Sequence, residues 1–193
     1  MLKKPTIENI KMQTSNHFVN LFELHGFNAK NVPITYYAAS RAESIEQYTQ
    51  NLSHQRNDAV SMFATTDDQR VVLVKQWRYP CNDFIIEFPA GLIDANESIH
   101  DAAIREFKEE TGLEFEPTST DEIGYYPSVG LTNEKLVTVY GRVIGGTISK
   151  QFQEAGEDIE ILLVDRDEAK RILREEKVAL NCAMILSAYF QLH

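Results

Sequence analysis

The stretch of sequence that decides the fold runs from Gly91 to Leu113 and reads GLIDANESIHDAAIREFKEETGL. Apolar residues recur within it at helical spacing: Ile99, Ala102, Ala103 and Phe107. Ser98, followed three residues later by Asp101, resembles a capping box, and Gly112 suits the position just after a helix. The spacing therefore predicts a helix over about Ile99–Thr111 whose apolar stripe packs on a sheet.

Carboxylates fill the polar side of this predicted helix. Glu106, Glu109 and Glu110 fall within an arc of roughly 100°, and three carboxylates so close repel one another at neutral pH. A hard divalent cation would remove that repulsion and matches their oxygen ligands. Arg105 lies four residues before Glu109, so it can hold a carboxylate for the metal or contact a substrate phosphate. Glu97, in the preceding loop, is expected to pair with Arg105.

A glutamate-rich helix surface can also be merely solvated, and the flanking residues decide between the two interpretations. Seven residues stand at the spacings of the Nudix box: Gly91, Glu97, Arg105, Glu106, Glu109, Glu110 and Gly112. Phe107 and Leu113 occupy its two bulky apolar positions. At typical residue usage, seven matches have a chance of roughly 10⁻⁸ per window. The chain thus resembles the Nudix hydrolases, which implies cleavage of a diphosphate that depends on Mg²⁺, with Mn²⁺ as a substitute.

Two segments before the box extend the resemblance to ADP-ribose pyrophosphatases and related nucleoside diphosphate sugar hydrolases. They are Gln76-Trp-Arg-Tyr-Pro and Ile86-Glu-Phe-Pro-Ala-Gly. The resemblance implies that Arg78 contacts the substrate's phosphates and that Ala90 offers its backbone carbonyl to a metal. Glu87 has three open roles: it could assist substrate binding, assist metal binding, or face a strand neighbour.

An acidic segment after the box, Glu154-Ala-Gly-Glu-Asp-Ile-Glu, resembles the loop that brings a further glutamate to the site in these hydrolases. Glu157 aligns best with that glutamate and is expected to bind metal or the attacking water. Glu154 is its neighbour and is expected to contact substrate. The alternative is a solvated acidic loop, although mobile loops commonly carry function.

The segment that follows the box departs from the ADP-ribose-specific members of the family. Many of them have Ser-Pro-Gly there, whereas this chain has Val129 in the place of the proline. The leading hypothesis is hydrolysis of ADP-ribose to AMP and ribose 5-phosphate. UDP-sugars, GDP-sugars, dinucleotide coenzymes and dinucleoside polyphosphates remain alternatives, as does a module that binds ADP-ribose without cleaving it.

The apolar patterning predicts an α/β protein. Residues 1–56 are expected to form a small N-terminal β lobe, with strands at Phe18–Leu24 and Ile34–Ser40 and an ambiguous polar stretch at Glu43–Ser53. Residues 57–193 are expected to form the Nudix fold, an α/β/α sandwich around a mixed sheet. Its other predicted strands and helices are 59–64, 71–77, 84–89, 136–144, 159–164, a helix capped by Asp165, and a last helix over 180–191.

The resemblance also implies a homodimer in which the N-terminal lobe helps to build the nucleotide site. Phe18, Tyr36 and Tyr37 could stack on a base there, but aromatic residues of strands more often belong to a core. We therefore expect these three side chains to be core residues and keep base stacking as the alternative.

Composition and charge exclude several other classes of protein. The net charge of −10 argues against nonspecific nucleic-acid binding, which needs Lys and Arg to neutralise phosphates. Cys81 and Cys182 form no disulfide framework or metal-type pair. No apolar run follows Lys3 and Lys4, so no signal peptide is expected. The apolar stretch 178–190 is too short to span a bilayer, and a cytoplasmic enzyme is the expectation.

Overall fold

The computed structural model describes residues 3–53, 56–121, 123–151, 153 and 158–192. The chain divides into two compact units. The first contains the chain up to Asn57 together with Tyr125–Lys135, and the second contains Asp58–Gly124 and the chain from Leu136 onward.

The first unit is built on an antiparallel three-stranded sheet. Its strands are β1 (Thr6–Met12), β2 (Asn20–Phe27) and β3 (Pro33–Ser40), in the order β1-β2-β3, and they are followed by the helix α1 (Ile45–Ser53). Side chains of β2 alternate between buried and accessible positions, as expected for a sheet with one covered face. Phe22 of β2 stacks on Tyr48 of α1 at 4.4 Å between ring centroids, and this pair forms the centre of the unit's core.

The expectation that Phe18, Tyr36 and Tyr37 are core residues is wrong. All three side chains are exposed in the chain. The core instead takes the even-numbered side chains Phe22 and Leu24 from β2, whereas the consecutive residues Tyr36 and Tyr37 of β3 are both exposed.

The segment Tyr125–Lys135 packs along β3, although it follows the box in sequence. Its backbone and side chains make three contacts with β3 and the residue after it. Leu131 O accepts from Ala39 N at 2.8 Å, Gly130 O accepts from the Tyr36 hydroxyl at 2.9 Å, and Arg41 pairs with Glu134 at 3.1 Å.

The second unit contains a seven-stranded mixed sheet. Its strands are β4 (Ala59–Thr65), β5 (Val71–Arg78), β6 (Asp83–Glu87), β7 (Ala90–Leu92), β8 (Leu113–Thr120), β9 (Leu136–Gly146) and β10 (Ile159–Val164). The order is β10-β5-β4-β9-β8, with β6 paired to β5 and β7 paired to β4. The pair of β4 with β9 is parallel, and the other pairs are antiparallel.

Helices cover both faces of this sheet. The helix α2 (Ile99–Thr111) packs on one face, while α3 (Arg166–Glu175) and α4 (Leu180–Tyr189) pack on the other. Successive side chains of β4 point to opposite faces of the sheet. Met62 therefore packs in the core on the α2 side, and Phe63 packs in the core on the α3 and α4 side. The predicted α/β/α sandwich is therefore confirmed.

Among the described residues, four of the strands and α-helices were not predicted from the sequence. They are β1, α1, β7 and β8. β7 has only three residues, which is too short to show the hydrophobic periodicity of a strand. β8 contains Pro117, which normally argues against a strand, but β8 is the last strand in the sheet order, where proline is tolerated. No helix in the described part of the chain combines the length and the hydropathy that a membrane span requires.

Candidate active site

The box helix α2 begins and ends where the sequence predicts. The Ser98 hydroxyl oxygen accepts from the Asp101 backbone N at 3.1 Å and donates to the Asp101 carboxylate at 2.7 Å. At the other end, Gly112 adopts a left-handed conformation with φ of 75°. A Cβ there would also lie only 2.6 Å from the Thr147 carbonyl oxygen. Both caps are local interactions, so spacing alone was sufficient to locate them.

Arg105 is the centre of a hydrogen-bond network on α2. Its Nε and Nη2 atoms donate to the two carboxylate oxygens of Glu97, each at 2.8 Å, and Nη2 also donates to Leu92 O at 3.0 Å. Its Nη1 atom donates to Glu106 at 2.8 Å and to Glu109 at 3.2 Å. The expected ion pair between Glu97 and Arg105 is thus present, and it is bidentate.

The network changes the acidity of both partners. Hydrogen bonds from Arg105 hold the pKa of Glu97 below its usual value. The same bonds, with that to Glu106, raise the pKa of Arg105 further above its usual value. Both side chains therefore keep their charges at neutral pH, and the arginine ties the loop before α2 to the helix.

Glu106 and Glu110 face the backbone of β7 from successive turns of α2. A Cβ built on Gly91 would overlap the Glu106 carboxylate, so glycine at this position leaves the room that the carboxylate occupies. The Ala90 backbone N donates to Glu110 Oε2 at 3.1 Å, and Glu110 is only 4% exposed. Two carboxylates from the helix thus meet two consecutive backbone units of the strand.

This donor set fits a hard divalent cation in its chemistry, since carboxylate and carbonyl oxygens are the ligands that Mg²⁺ takes. Among the described residues, however, no group of three His, Cys, Asp or Glu side chains has the arrangement of a metal centre. Arg105 is bonded to Glu106 and Glu109, and Ala90 N is bonded to Glu110.

Arg78 and Glu87 lie on the same face of the sheet as α2. In β5, Arg78 has the parity of Val72, which packs in the α2 core, and in β6 Glu87 alternates with Ile86, which packs in the opposite core. Arg78 Nε donates to Glu87 Oε1 at 2.6 Å. The structure therefore brings Arg78 to the face that carries the box glutamates.

Glu154 and Glu157 lie outside the described residues. The residue just before them, Gln153, is described and contacts α2. The Gln153 side-chain amide donates to the Glu110 carbonyl oxygen at 2.9 Å. No motif marks Gln153 in the sequence, and a contact across 43 positions leaves no signal in residue spacing.

The other end of the same segment returns to the sheet at the end of β5. Asp158 O accepts from Trp77 N at 3.5 Å, immediately before Arg78. The two described ends of the acidic segment therefore lie at the last turn of α2 and beside Arg78.

Together, the three layers and the carboxylate-lined helix define an α/β protein with a polar site on one face of its sheet. The sequence model of the NUDIX domain family matches residues 55–181 of the chain. The chain therefore belongs to the Nudix family, which confirms the predicted membership of this enzyme family.

Named relatives and a solved structure agree with this family. A Caenorhabditis elegans protein named as a nudix hydrolase is 39% identical over 116 residues, which cover 56% of this chain and 52% of that protein. The methanol dehydrogenase activator of Bacillus methanolicus is 30% identical over 138 residues, covering 69% and 72%. The ADP-ribose pyrophosphatase of Escherichia coli K12 is 32% identical over 130 residues, covering 64% and 62%.

The fold is also that of a crystal structure of an ADP compounds hydrolase. The TM-score is 0.66 at 20% sequence identity, and the match covers 98% of this chain and 95% of that one. The chain spans from about half to just under three quarters of the length of the three named relatives.

Proposed function

We propose that this protein hydrolyses the diphosphate bond of a nucleoside diphosphate sugar, with ADP-ribose as the leading substrate and AMP and ribose 5-phosphate as products. One observation carries the proposal: Glu106 and Glu110 converge on the Ala90–Gly91 backbone, on the same sheet face as Arg78. The names of two similar proteins, an ADP-ribose pyrophosphatase and an ADP compounds hydrolase, support the substrate class.

In this proposal the box side chains and one backbone carbonyl hold Mg²⁺, or Mn²⁺ in its place. The ligands are Glu106, Glu109, Glu110, Glu157 and the carbonyl of Ala90. When bound, the cation neutralises phosphate charge and lowers the pKa of a bound water molecule. Carboxylates are suited to this cation because their oxygens are hard ligands.

The remaining residues bind, orient and move protons. Arg78 binds the diphosphate, because a guanidinium presents several N–H donors to phosphate oxygens. Glu157 accepts the proton of the attacking water, and Glu154 contacts the substrate. Arg105 acts indirectly, since its bonds to Glu106 and Glu97 fix the helix and its loop.

The ends of the acidic segment favour these roles for Glu154 and Glu157. Gln153 is bonded to the Glu110 carbonyl, and Asp158 is bonded to the neighbour of Arg78. The described residues on either side of Glu154 and Glu157 therefore lie close to the last turn of α2 and to Arg78, which supports these roles.

We further propose that the protein is a cytoplasmic homodimer with the N-terminal lobe, residues 1–56, contributing to the nucleotide site. The exposed aromatic side chains of that lobe support the homodimer and the contribution to the nucleotide site, because exposed apolar side chains are available to a partner chain or a base. Base stacking by Phe18, Tyr36 or Tyr37 is consistent with that exposure.

The test is a product analysis of purified protein with Mg²⁺ against ADP-ribose, UDP- and GDP-sugars, dinucleotide coenzymes and dinucleoside polyphosphates. We expect ADP-ribose to give AMP and ribose 5-phosphate with the highest kcat/KM. We expect Glu110→Gln to lower kcat by about 10³-fold, or roughly 4 kcal/mol of barrier, with an unchanged circular dichroism spectrum.

Three outcomes distinguish the alternatives. Highest activity on another compound in the panel would replace ADP-ribose with that substrate. Tight binding of ADP-ribose without any product would identify a binding module. Full activity in the folded Glu110→Gln protein would refute the catalytic role of the box.

A further inference from the structure

We infer that Glu87 is a positioning residue that fixes the guanidinium of Arg78 for binding the substrate diphosphate. The inference rests on the proposed function and adds a residue to its phosphate site. It chooses among the three roles that the sequence leaves open for Glu87, and it assigns that carboxylate to the arginine and not to the metal.

Strand geometry places the two residues as a pair. Glu87 ends β6 and Arg78 ends β5, and the register pairs Val74 with Glu87 and Arg78 with Asp83. Arg78 and Glu87 are therefore four positions apart along the paired strands. A long arginine side chain must lie back along the sheet surface to reach Glu87, and the bond at 2.6 Å shows that it does.

Burial shows which partner is held and which is presented. The Glu87 side chain is 15% exposed, whereas the Arg78 side chain is 42% exposed. The bond uses Nε, the guanidinium nitrogen nearest the side-chain stem, and the Nη atoms lie beyond it. A largely buried carboxylate thus holds the Nε atom of an arginine whose side chain stays partly exposed, so a diphosphate can approach that side chain.

The contacts of Glu87 separate it from the box carboxylates. Glu106 and Glu109 are bonded to Arg105, and Glu110 is bonded to Ala90 N. Glu87 is bonded to Arg78. Among the described residues, the α2 face therefore has one arginine–glutamate set on the helix and another on the strands β5 and β6.

The kinetic test compares Glu87→Ala and Glu87→Gln with Arg78→Ala and with the Arg78→Ala/Glu87→Ala double variant. Because an oriented arginine binds the diphosphate in ground state and transition state alike, we expect Glu87→Ala to raise KM about tenfold while kcat changes little. Glu87→Gln keeps an acceptor oxygen and should recover part of the loss. In the Arg78→Ala background, Glu87→Ala should have no further effect, and the Mg²⁺ concentration for half-maximal activity should not change.

Glu176→Gln is the matched control. It breaks the ion pair between Glu176 and Lys75 of β5, whose N–O distance is 3.1 Å. Lys75 faces the opposite side of β5 from Arg78. We expect its KM to equal that of the wild type. A raised Mg²⁺ requirement in Glu87→Ala, or a further loss of activity in the double variant, would overturn the inference.

A second measurement does not depend on turnover. The ¹H–¹⁵N signal of Arg78 Nε, assigned with Arg78→Lys, should shift in Glu87→Ala and should also shift when ADP is added to the wild type. If no compound is hydrolysed, the proposed function fails, and these shifts still decide the role of Glu87. An Arg78 signal that shifts neither in Glu87→Ala nor on addition of ADP would overturn the inference by itself.

Discussion

Replacing Glu97 with glutamine tests how strongly the network of Arg105 holds the box together. Glu97 accepts two hydrogen bonds of 2.8 Å from Arg105, and the two side chains are 15% and 31% exposed. Breaking an exposed ion pair costs about 0.2–1 kcal/mol, and breaking a buried one costs about 3–5 kcal/mol. This half-buried, bidentate pair lies between these limits, so we expect Glu97→Gln to lower the free energy of unfolding by about 2 kcal/mol.

Chemical unfolding in urea at pH 7, followed by circular dichroism, measures this difference. For a chain of 193 residues, about 2 kcal/mol corresponds to a fall in Tm of roughly 4–8 °C. Glu114→Gln is the control, because Glu114 of β8 pairs with a lysine of the same helix as Arg105. Its partner Lys108 lies 3.7 Å away and Glu114 is 55% exposed, so its loss should cost less than about 1 kcal/mol.

The dependence on pH follows from the lowered pKa of Glu97. A carboxyl group whose pKa is lower in the folded state stabilises the fold above its unfolded pKa and loses that contribution as pH falls through the folded pKa. The difference in the free energy of unfolding between wild type and Glu97→Gln should therefore be fully present above pH 4.5 and decrease as the pH falls below it. Equal free energies of unfolding for Glu97→Gln and Glu114→Gln at pH 7, or a difference from wild type that does not shrink as the pH falls below 4.5, would refute the reasoning.

One further substitution and one thiol reagent test other parts of the structure. Gly91→Ala places a Cβ where the Glu106 carboxylate lies, and displacing that group by about 1 Å should lower kcat/KM roughly 100-fold. Gly145→Ala is the control, because only the tip of an exposed glutamate lies near its Cβ, and it should retain activity. Burial raises the pKa of the Cys182 thiol, whereas Cys81 is exposed. A thiol reagent at pH 8 should therefore modify one cysteine in the native protein and two in urea, and two in the native protein would contradict the burial.

The N-terminal unit illustrates how tertiary contacts override sequence patterns. Tyr36 and Tyr37 are typical of a buried strand, yet both are exposed because the small core is supplied by Phe22 and Tyr48. Ile45, Tyr48 and Leu52 stand at helical spacing in α1, but only Tyr48 of these is buried, and it stacks on Phe22 of the sheet. Neither result can be derived from local propensity, since both depend on which elements meet.

The sequence alone determined the box helix, its two caps and the pairing of Glu97 with Arg105. These interactions join residues at most eight positions apart, so residue spacing fixes their geometry. The family resemblance could name Arg78 and Ala90, but it could not give their partners.

Tertiary structure decided the contacts that turn these residues into one site. The overlap of a Gly91 side chain with Glu106, the bond of Ala90 to Glu110, and the bond of Arg78 to Glu87 depend on how strands and helix are stacked. Strand order and register are set by the packing of a whole sheet, and a shift of one residue would send each strand side chain to the opposite face. For that reason the sequence specifies the chemical groups of the site, and the fold specifies which of them meet.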